Sequence, residues 1–192
     1  MVAAKENFDM TPEEYLEWED KQPLKYEYMD GEVYVISDNT LPHNTLALNL
    51  ACMLKNHLKM KQGKVLICGA KVQVLETGPY HYPDVVVSCD ERDQKAFKFL
   101  QYPCLIIEVL SPSTEGFDRG KKFRNYRQIE TLKEYVLVSA DQKLVECFRL
   151  NDQQVWELHS FSENEQSKLE SLHFNFPVEL IYEDVILTDE NE

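Results

Sequence analysis

Two apolar runs of this chain each carry a carboxylate. Asp84 stands directly before the run Val85–Val87, and Glu108 interrupts the run Cys104–Leu110. Such runs, rich in β-branched residues, predict buried strands, and an unpaired carboxylate is costly to desolvate there. The short separation in sequence suits neighbouring strands joined by a loop. The chain must therefore fold so that a positively charged partner or a bound cation offsets both negative charges.

Each carboxylate taken alone has a simpler interpretation. Asp84 could lie at a strand end in water, and Glu108 could pair with a buried Arg or Lys. Because the two occur together on predicted neighbouring strands, a joint function is the better interpretation. Two carboxylates are enough for Mg²⁺, or for Mn²⁺ in its place, since Mg²⁺ takes oxygen ligands and keeps several waters.

The remaining pattern predicts a mixed α/β domain. Thr11-Pro12-Glu13-Glu14 has the residues of a capping box and starts a short helix. Asp30-Gly31 is a favoured hairpin turn, and Pro42 opens a longer helix whose apolar spacing continues to about Met60. Strands are predicted at residues 25–29, 32–36, 64–68, 71–75, 134–139, 144–148 and 155–161. This order predicts helices that flank one sheet.

The charge of the chain argues against broad binding to nucleic acid. Its 192 residues suit a single domain with a real core, and the formal net charge is −14. Such a charge disfavours non-specific contact with phosphates. The charge is uneven, however: an acidic C-terminal extension starts at about residue 163, whereas residues 119–133 carry six basic side chains and one glutamate.

Cysteine spacing and hydropathy indicate the compartment. The five cysteines form no CxxC pair, which argues against a zinc site or a disulfide framework. Residues 1–10 lack the apolar core of a signal peptide. No apolar stretch approaches the roughly 20 residues of a membrane span. We therefore expect a soluble, cytoplasmic protein.

A basic helix is predicted just after the second carboxylate. If Asp118 is its N-cap and the helix runs to about Ile129, Lys122 and Tyr126 lie four residues apart on one face. Since Ile129 continues that face toward the core, Lys122 can reach a site at the edge of the sheet. A solvated basic helix explains the same spacing equally well.

Glu27 and His43 are weaker candidates. Glu27 faces opposite to Tyr26 and Tyr28 in its predicted strand, as an ordinary half-exposed hairpin also predicts. His43 lies at the start of the long helix, where a capping or surface role is the common one. The other histidines carry no prediction.

Taken together, these residues resemble the PD-(D/E)XK nuclease superfamily, and within it a bacterial family of putative restriction endonucleases. The resemblance covers residues 15–161, and its specificity comes from the order of five motifs that are individually weak. The motifs are Tyr26-Glu27-Tyr28-Met29-Asp30-Gly31-Glu32, His43, Pro83-Asp84-Val85-Val86-Val87, Ile107-Glu108-Val109-Leu110-Ser111-Pro112-Ser113-Thr114, and Asp118 through Lys122 to Tyr126.

The resemblance implies a restriction-endonuclease-like mixed sheet flanked by helices, and a Mg²⁺-dependent endonuclease that hydrolyses DNA. Asp84, Glu108 and the carbonyl of Val109 would hold the metal. The superfamily pattern places a lysine where this chain has Leu110, so the resemblance implies that the lysine has migrated to Lys122 in the following helix.

The resemblance also implies supporting roles. Glu27 would orient water or hold a second ion, with His43 and Tyr126 as accessory residues. A homodimer is implied, because superfamily members often cut both strands as dimers. Four basic residues are predicted to contact the DNA backbone: Arg119, Lys121, Arg124 and Arg127.

Two alternatives remain open from the sequence. The net negative charge, and Leu110 in place of the superfamily lysine, favour a catalytically inactive nuclease fold that acts as a binding or assembly module. A metal-dependent hydrolase of small phosphate esters is the other alternative, since an acidic surface would not hinder it. The dependence on salt concentration separates the alternatives: DNA binding weakens steeply with ionic strength, whereas hydrolysis of a small ester should barely respond.

Overall fold

Six strands form a mixed sheet at the centre of the molecule. The computed structural model describes residues 5–7, 9–36 and 40–187; part of the N-terminal stretch and the end of the acidic tail lie outside these ranges. The strands in spatial order are β11 (Trp156–Ser162), β10 (Leu144–Leu150), β9 (Glu134–Ser139), β8 (Leu105–Leu110), β7 (Val85–Ser88) and β4 (Lys64–Ile67). Within this sheet β8 and β9 are parallel, and every other neighbouring pair is antiparallel.

Helices cover both faces of this sheet, as predicted. The long helix α2 (Leu41–His57) packs on one face. On the other face lies a helical segment, residues 115–126, in which α4 (Glu115–Phe117), a π-helical turn (Asp118–Lys122) and α5 (Phe123–Tyr126) follow without a break. The short helices α1 (Pro12–Glu19) and α3 (Glu91–Gln94) lie outside these layers. Among the described residues, none of the helices has the length and apolar character needed to cross a membrane.

The hairpin at Asp30-Gly31 belongs to a second sheet, which the prediction of one sheet missed. Its strands in spatial order are β1 (Lys5–Asn7), β3 (Glu32–Val35), β2 (Tyr26–Met29), β6 (Tyr80–His81) and β5 (Val72–Gln73). Tyr28 pairs with Tyr80, and their rings join that of Tyr15 in a small aromatic core. This second sheet brings the segment before Asp84 close to the hairpin.

The acidic segment after residue 163 contributes apolar side chains to the main core. It contains the hairpin of β12 (Gln166–Leu169) and β13 (Phe174–Pro177), with 3₁₀ turns at Glu170–Leu172 and Val178–Leu180. Leu169, Phe176 and Ile181 are buried in the same cluster as α2. The acidic residues of this segment alternate with the apolar ones.

The helix predicted to start at Asp118 starts earlier. The amides of Glu115 and Asp118 bond to the carbonyls of Ser111 and Thr114, so the chain turns into helical geometry directly after β8. Asp118 is therefore inside the helical segment and buried rather than capping it. The segment also ends at Tyr126, short of the predicted Ile129.

The alternation of side chains along β8 positions the second carboxylate. Leu105, Ile107 and Val109 belong to the core under α2, whereas Ile106 and Leu110 belong to the core under the helical segment. Successive strand residues point to opposite faces, so Glu108 shares a face with Ile106 and Leu110. The helical segment thus covers Glu108.

Helix α2 offers a test of this packing. Leu50 is 1% exposed and packs in the main core, whereas Leu48 on the same helix is 47% exposed. We expect Leu50→Ala to lower the free energy of unfolding by about 2–5 kcal/mol, because it leaves a cavity, and Leu48→Ala to change it by less than about 1 kcal/mol. Urea unfolding followed by circular dichroism measures both. Equal losses in the two variants would contradict the packing of α2.

Candidate functional site

Asp84, directly before β7, lies beside Glu108 of β8, and both strands are in the interior of the main sheet. Val85 pairs with Ile107 in the antiparallel ladder of β7 and β8, so the two carboxylates occupy the next opposed position. The amide of Val109 donates to Asp84 Oδ2 at 2.8 Å, and the amide of Asp84 lies 3.4 Å from Glu108 Oε2. The predicted neighbouring strands are confirmed, and their backbone fixes both side chains.

Lys122 is the centre of the site. Its Nζ atom lies 3.1 Å from Glu108 Oε1, 3.2 Å from Glu27 Oε1 and 3.3 Å from Asp118 Oδ1. The lysine is buried, as are its three carboxylate partners. The π-helical turn places it over the face of β8 that carries Glu108. The predicted reach of Lys122 to the second carboxylate is thus what the structure shows.

Glu27 enters the site from the second sheet. The backbone amide of Tyr82 donates to its Oε1 atom at 3.1 Å, and His81 Nδ1 lies 3.1 Å from its Oε2 atom. The other ring nitrogen of His81 lies 3.0 Å from Asn125 Nδ2 in the helical segment. The ring of His81 therefore lies between Glu27 and Asn125, with Nδ1 toward the carboxylate and Nε2 toward the amide. Glu27 is therefore held in place on both oxygens.

The two predicted accessory residues also contact the carboxylates. His43 Nε2 lies 3.3 Å from Asp84 Oδ2, while its Nδ1 atom is buried without a hydrogen-bond partner in the described part of the chain. The hydroxyl of Tyr126 donates to Glu108 Oε1 at 3.1 Å. Thr40 accepts from the amide of His43, so the start of α2 is capped next to the site.

A cavity of about 460 Å³ gives access to these groups. Asp84, Glu108, Glu27 and Lys122 lie along it together with Asp118 and His43. The loop after β8 and the end of β3 form the rest of its wall: Tyr34, Val35, Ile36, Tyr82, Val109, Ser111, Pro112, Ser113, Thr114, Gly116 and Phe117.

The site holds more carboxylates than one lysine can neutralise. Burial raises the pKa of Glu108 well above its usual range; Lys122 opposes this, and the nearby carboxylates Asp118, Asp84 and Glu27 add to it. Burial likewise raises the pKa of Asp118. Burial alone would lower the pKa of Lys122, but Glu108, Glu27 and Asp118 together raise it. The charged form of Lys122 is therefore favoured by its neighbours, whereas ionisation of Glu108 is opposed by burial and by the nearby carboxylates.

Glu27 behaves in the opposite way. Burial works to raise its pKa, but the positive charge of Lys122 and the contacts with His81 and Tyr82 outweigh it and lower the pKa of Glu27 to about 2. One carboxylate of the site is thus firmly ionised, while its neighbour Glu108 resists ionisation. Such divergent pKa values within one cavity are typical of functional sites.

The donor set fits a hard divalent cation. Asp84 Oδ1 accepts no hydrogen bond from the described residues, and the excess of carboxylates leaves negative charge to offset. The Val109 amide points at Asp84, and in a strand the carbonyl of the same residue faces the same side. Within the described ranges no three His, Cys, Asp or Glu side chains form a metal-binding group. Mg²⁺ needs only one or two protein carboxylates beside its waters.

Most of the basic residues predicted to contact DNA are already paired. Arg119 binds Glu115 and Glu146. Lys121 lies 3.8 Å from Asp30, and the guanidinium of Arg127 lies 5.0 Å from the ring centre of Phe123. Arg124 is exposed and has no ion pair with the described residues. Their contact with DNA stays a prediction.

Sequence reasoning missed three residues of the site. Asp118 was predicted as a helix cap, and His81 and Asn125 were not singled out. The available signal was the position of His81 three residues before Asp84, in an otherwise apolar and aromatic segment. It could not reveal that β6 would pair with β2 and so place His81 against Glu27.

The opposite pKa shifts of Glu27 and Glu108 predict opposite effects of isosteric substitution on stability. A lowered folded-state pKa stabilises the protein above the unfolded value of about 4.5, and this contribution disappears as the pH falls toward 2. In metal-free buffer at pH 7 we expect Glu27→Gln to cost about 3 kcal/mol of unfolding free energy, with a smaller cost at pH 3. Urea unfolding at both pH values measures this.

Glu108→Gln should change the pH dependence of the free energy of unfolding in the opposite direction to Glu27→Gln. A raised folded-state pKa means that stability is lost as the pH rises through that value. Replacing Glu108 with a neutral amide removes this pH-dependent loss, so we expect the stability of Glu108→Gln relative to the wild type to rise between pH 3 and pH 7. A fall in that relative stability over the same range, together with a neutral effect of Glu27→Gln, would refute this assignment of charges.

Comparison with known proteins identifies relatives of this chain. The model of the Uma2 family, described as putative restriction endonucleases, matches residues 12–179. An uncharacterised protein of Synechocystis sp., slr1290, is 38% identical over 173 residues, which cover 90% of this chain and 91% of that protein. A second uncharacterised Synechocystis protein, sll1609, is 34% identical over 147 residues and covers 76% of this chain and 80% of its own.

A solved structure shares the fold. The crystal structure of a putative nuclease belonging to DUF820 from Anabaena variabilis has a TM-score of 0.75 at 17% identity and covers 92% of this chain and 99% of that chain. At that identity the likeness concerns the fold, and it confirms the predicted nuclease-like mixed sheet flanked by helices. With most of its length matched by the family model, the chain belongs to the Uma2 family of putative restriction endonucleases.

Proposed function

We propose that this protein is a metal-dependent nuclease that hydrolyses DNA phosphodiester bonds. The observation that carries the proposal is the convergence of Asp84, Glu108 and Lys122 in one cavity, with Lys122 Nζ 3.1 Å from Glu108 Oε1. A pure scaffold gains little from burying such a cluster, because buried charges are expensive to desolvate. Membership of the Uma2 family supports the same activity.

Asp84, Glu108 and the carbonyl of Val109 would hold Mg²⁺, or Mn²⁺ in its place. When bound, such a cation lowers the pKa of a water and offsets the negative charge of a phosphate. The contacts of the Val109 amide and of His43 keep Asp84 Oδ2 in place and leave Oδ1 available. The hydroxyl of Tyr126 keeps Glu108 oriented in the same way.

Lys122 would stabilise the charge that develops on the phosphate. Its ammonium group is fixed in advance by Glu108, Glu27 and Asp118, so little reorganisation is needed when negative charge appears nearby. Preorganised donors of this kind contribute most when they sit in a water-poor site. The lysine that the superfamily places on the strand is replaced here by one that arrives from the helical segment.

Glu27 would position the attacking water. Its carboxylate stays ionised because Lys122 and His81 stabilise the charged form and lower its pKa. An ionised carboxylate that lines the cavity can accept a hydrogen bond from a water and orient it. His81 and Asn125 would act through Glu27 as positioning residues, since the ring of His81 is completely buried.

The volume of the cavity also favours a second candidate function. A space of about 460 Å³ lies within the range of small-molecule sites, so hydrolysis of small phosphate esters is the alternative. The homodimer implied by the family resemblance is a separate proposal, which sedimentation equilibrium measures directly.

The test is cleavage of a labelled oligonucleotide and of bis(p-nitrophenyl) phosphate with Mg²⁺ or Mn²⁺. We expect Asp84→Asn, Glu108→Gln and Lys122→Met each to lower the rate of DNA cleavage by about 100-fold or more, because each removes a group fixed at the reacting phosphate. Asp90→Asn, which changes a surface carboxylate outside the cavity, should retain the rate.

Three outcomes separate the functions. Loss of DNA cleavage in folded variants supports the nuclease. Hydrolysis of the small ester without any cleavage of DNA would favour the alternative hydrolase. A wild-type protein that cleaves neither compound and binds no divalent metal would contradict both, and leave the binding module.

A further inference from the structure

We infer that the cavity accepts a single DNA strand, with one nucleotide inside it, and does not act on a continuous duplex. This inference rests on the proposed nuclease function and narrows its substrate. Three features of the described residues support it: the depth at which the catalytic groups lie, an aromatic wall beside them, and the pairing of nearby basic side chains.

The low exposure of the catalytic groups argues against access by a phosphate of intact duplex. The side chains of Glu108 and Lys122 are only 3% and 10% exposed, and that of Asp84 is 13% exposed. Duplex DNA is stiff over many tens of base pairs, so its phosphates stay on the outside of a rod. A single strand can bend its backbone into a cavity of about 460 Å³, as enzymes that act on extruded nucleotides require.

An aromatic wall lies across the same cavity. The rings of Tyr34 and Phe117 have centroids 6.5 Å apart and planes inclined by 32°. Both residues line the cavity and are half-buried, and the hydroxyl of Tyr34 is held by Glu32 at 2.6 Å. Single-strand binding proteins use such rings to stack bases without reading the sequence. Lys121 Nζ lies 5.6 Å from the ring centre of Tyr34 and Lys122 Nζ lies 5.9 Å from that of Phe117, so a base stacked on this wall would lie beside the lysine of the site.

Of the four basic residues predicted to contact DNA, Arg124 alone has neither an ion pair nor an aromatic contact in the described part of the chain. Arg119 and Lys121 are paired with acidic side chains, and Arg127 lies over an aromatic ring. The chain as a whole has a net charge of −14. Binding of a duplex depends mainly on neutralising several phosphates with Lys and Arg, whereas a single strand adds base stacking on aromatic rings to the attraction of its phosphates.

Hydroxyl groups supply donors at the mouth of the cavity. Ser111 Oγ lies 3.0 Å from both Ser113 Oγ and Thr114 Oγ1. Ser113 is exposed, and all three residues line the cavity. Serine and threonine hydroxyls are common partners of phosphate oxygens. They can hold the phosphate next to the inserted nucleotide without adding charge.

The first experiment compares cleavage of three labelled DNAs of one sequence in Mn²⁺: a single strand, a blunt hairpin duplex, and a duplex with a single-stranded tail. We expect the single strand and the tail to be cut at least about 10-fold faster than the blunt duplex, since the duplex must first be unpaired. Cuts in the tailed DNA should fall in the tail. A blunt duplex cut as fast as the single strand would overturn the inference and leave the nuclease function intact.

A binding measurement makes the inference independent of catalysis. Fluorescence anisotropy with a labelled 15-mer of deoxythymidine in Ca²⁺ should show tighter binding than with a hairpin duplex of equal length. We expect Phe117→Ala and Phe117→Leu to weaken the single-strand affinity by about 5-fold or more, because both remove the ring face. Leu keeps the apolar volume, so a folding defect in the Ala variant alone cannot explain the loss.

Phe97→Ala is the matched control. Phe97 is 97% exposed and lies outside the cavity, so its loss should leave the affinity unchanged. Equal affinity for single strand and duplex, or unchanged single-strand affinity in both Phe117 variants, would overturn the inference. If neither DNA nor the ester is cleaved, the proposed catalysis is wrong. Preferential binding of the single strand would then still identify single-stranded DNA as the ligand of the cavity.

Discussion

One buried lysine shared by three carboxylates is the interaction on which this structure depends. Lys122 holds Glu27, Glu108 and Asp118 within 3.3 Å of its Nζ atom. These groups come from the second sheet, the main sheet and the helical segment, so the lysine joins three layers of the fold. Because buried charges need partners, Lys122 offsets part of the charge of these carboxylates, and the remaining negative charge can attract a cation.

The fold brings these groups together through ordinary strand and helix geometry. Alternation along β8 turns Glu108 toward the helical segment, and the antiparallel pairing of β7 and β8 sets Asp84 beside it. The π-helical turn then carries Lys122 over that face. Turns of this kind are uncommon and occur often at functional sites. A lysine on the helical segment thus reaches the same carboxylates that a lysine on the strand would reach.

The parts of the site that the sequence predicted are those fixed by local pattern. Apolar runs located Asp84 and Glu108 on adjacent strands, and helical spacing placed Lys122 and Tyr126 on one face. The parts it missed depend on tertiary pairing. His81 became a partner of Glu27 only because β6 joins β2 in a second sheet. Asp118 is buried because the N-cap of the helical segment is Thr114, four residues before the predicted cap.

Anomalous diffraction from crystals grown with Mn²⁺ tests the central claim most directly, namely that this cluster holds a divalent cation. The account predicts one anomalous peak about 2 Å from oxygens of Asp84 and Glu108, beside the Val109 carbonyl, and its absence from crystals of Asp84→Asn. A fully charged Lys122 should remain within hydrogen-bond distance of Glu27. A cavity free of any peak at saturating Mn²⁺, or a peak that persists in Asp84→Asn, would contradict the account.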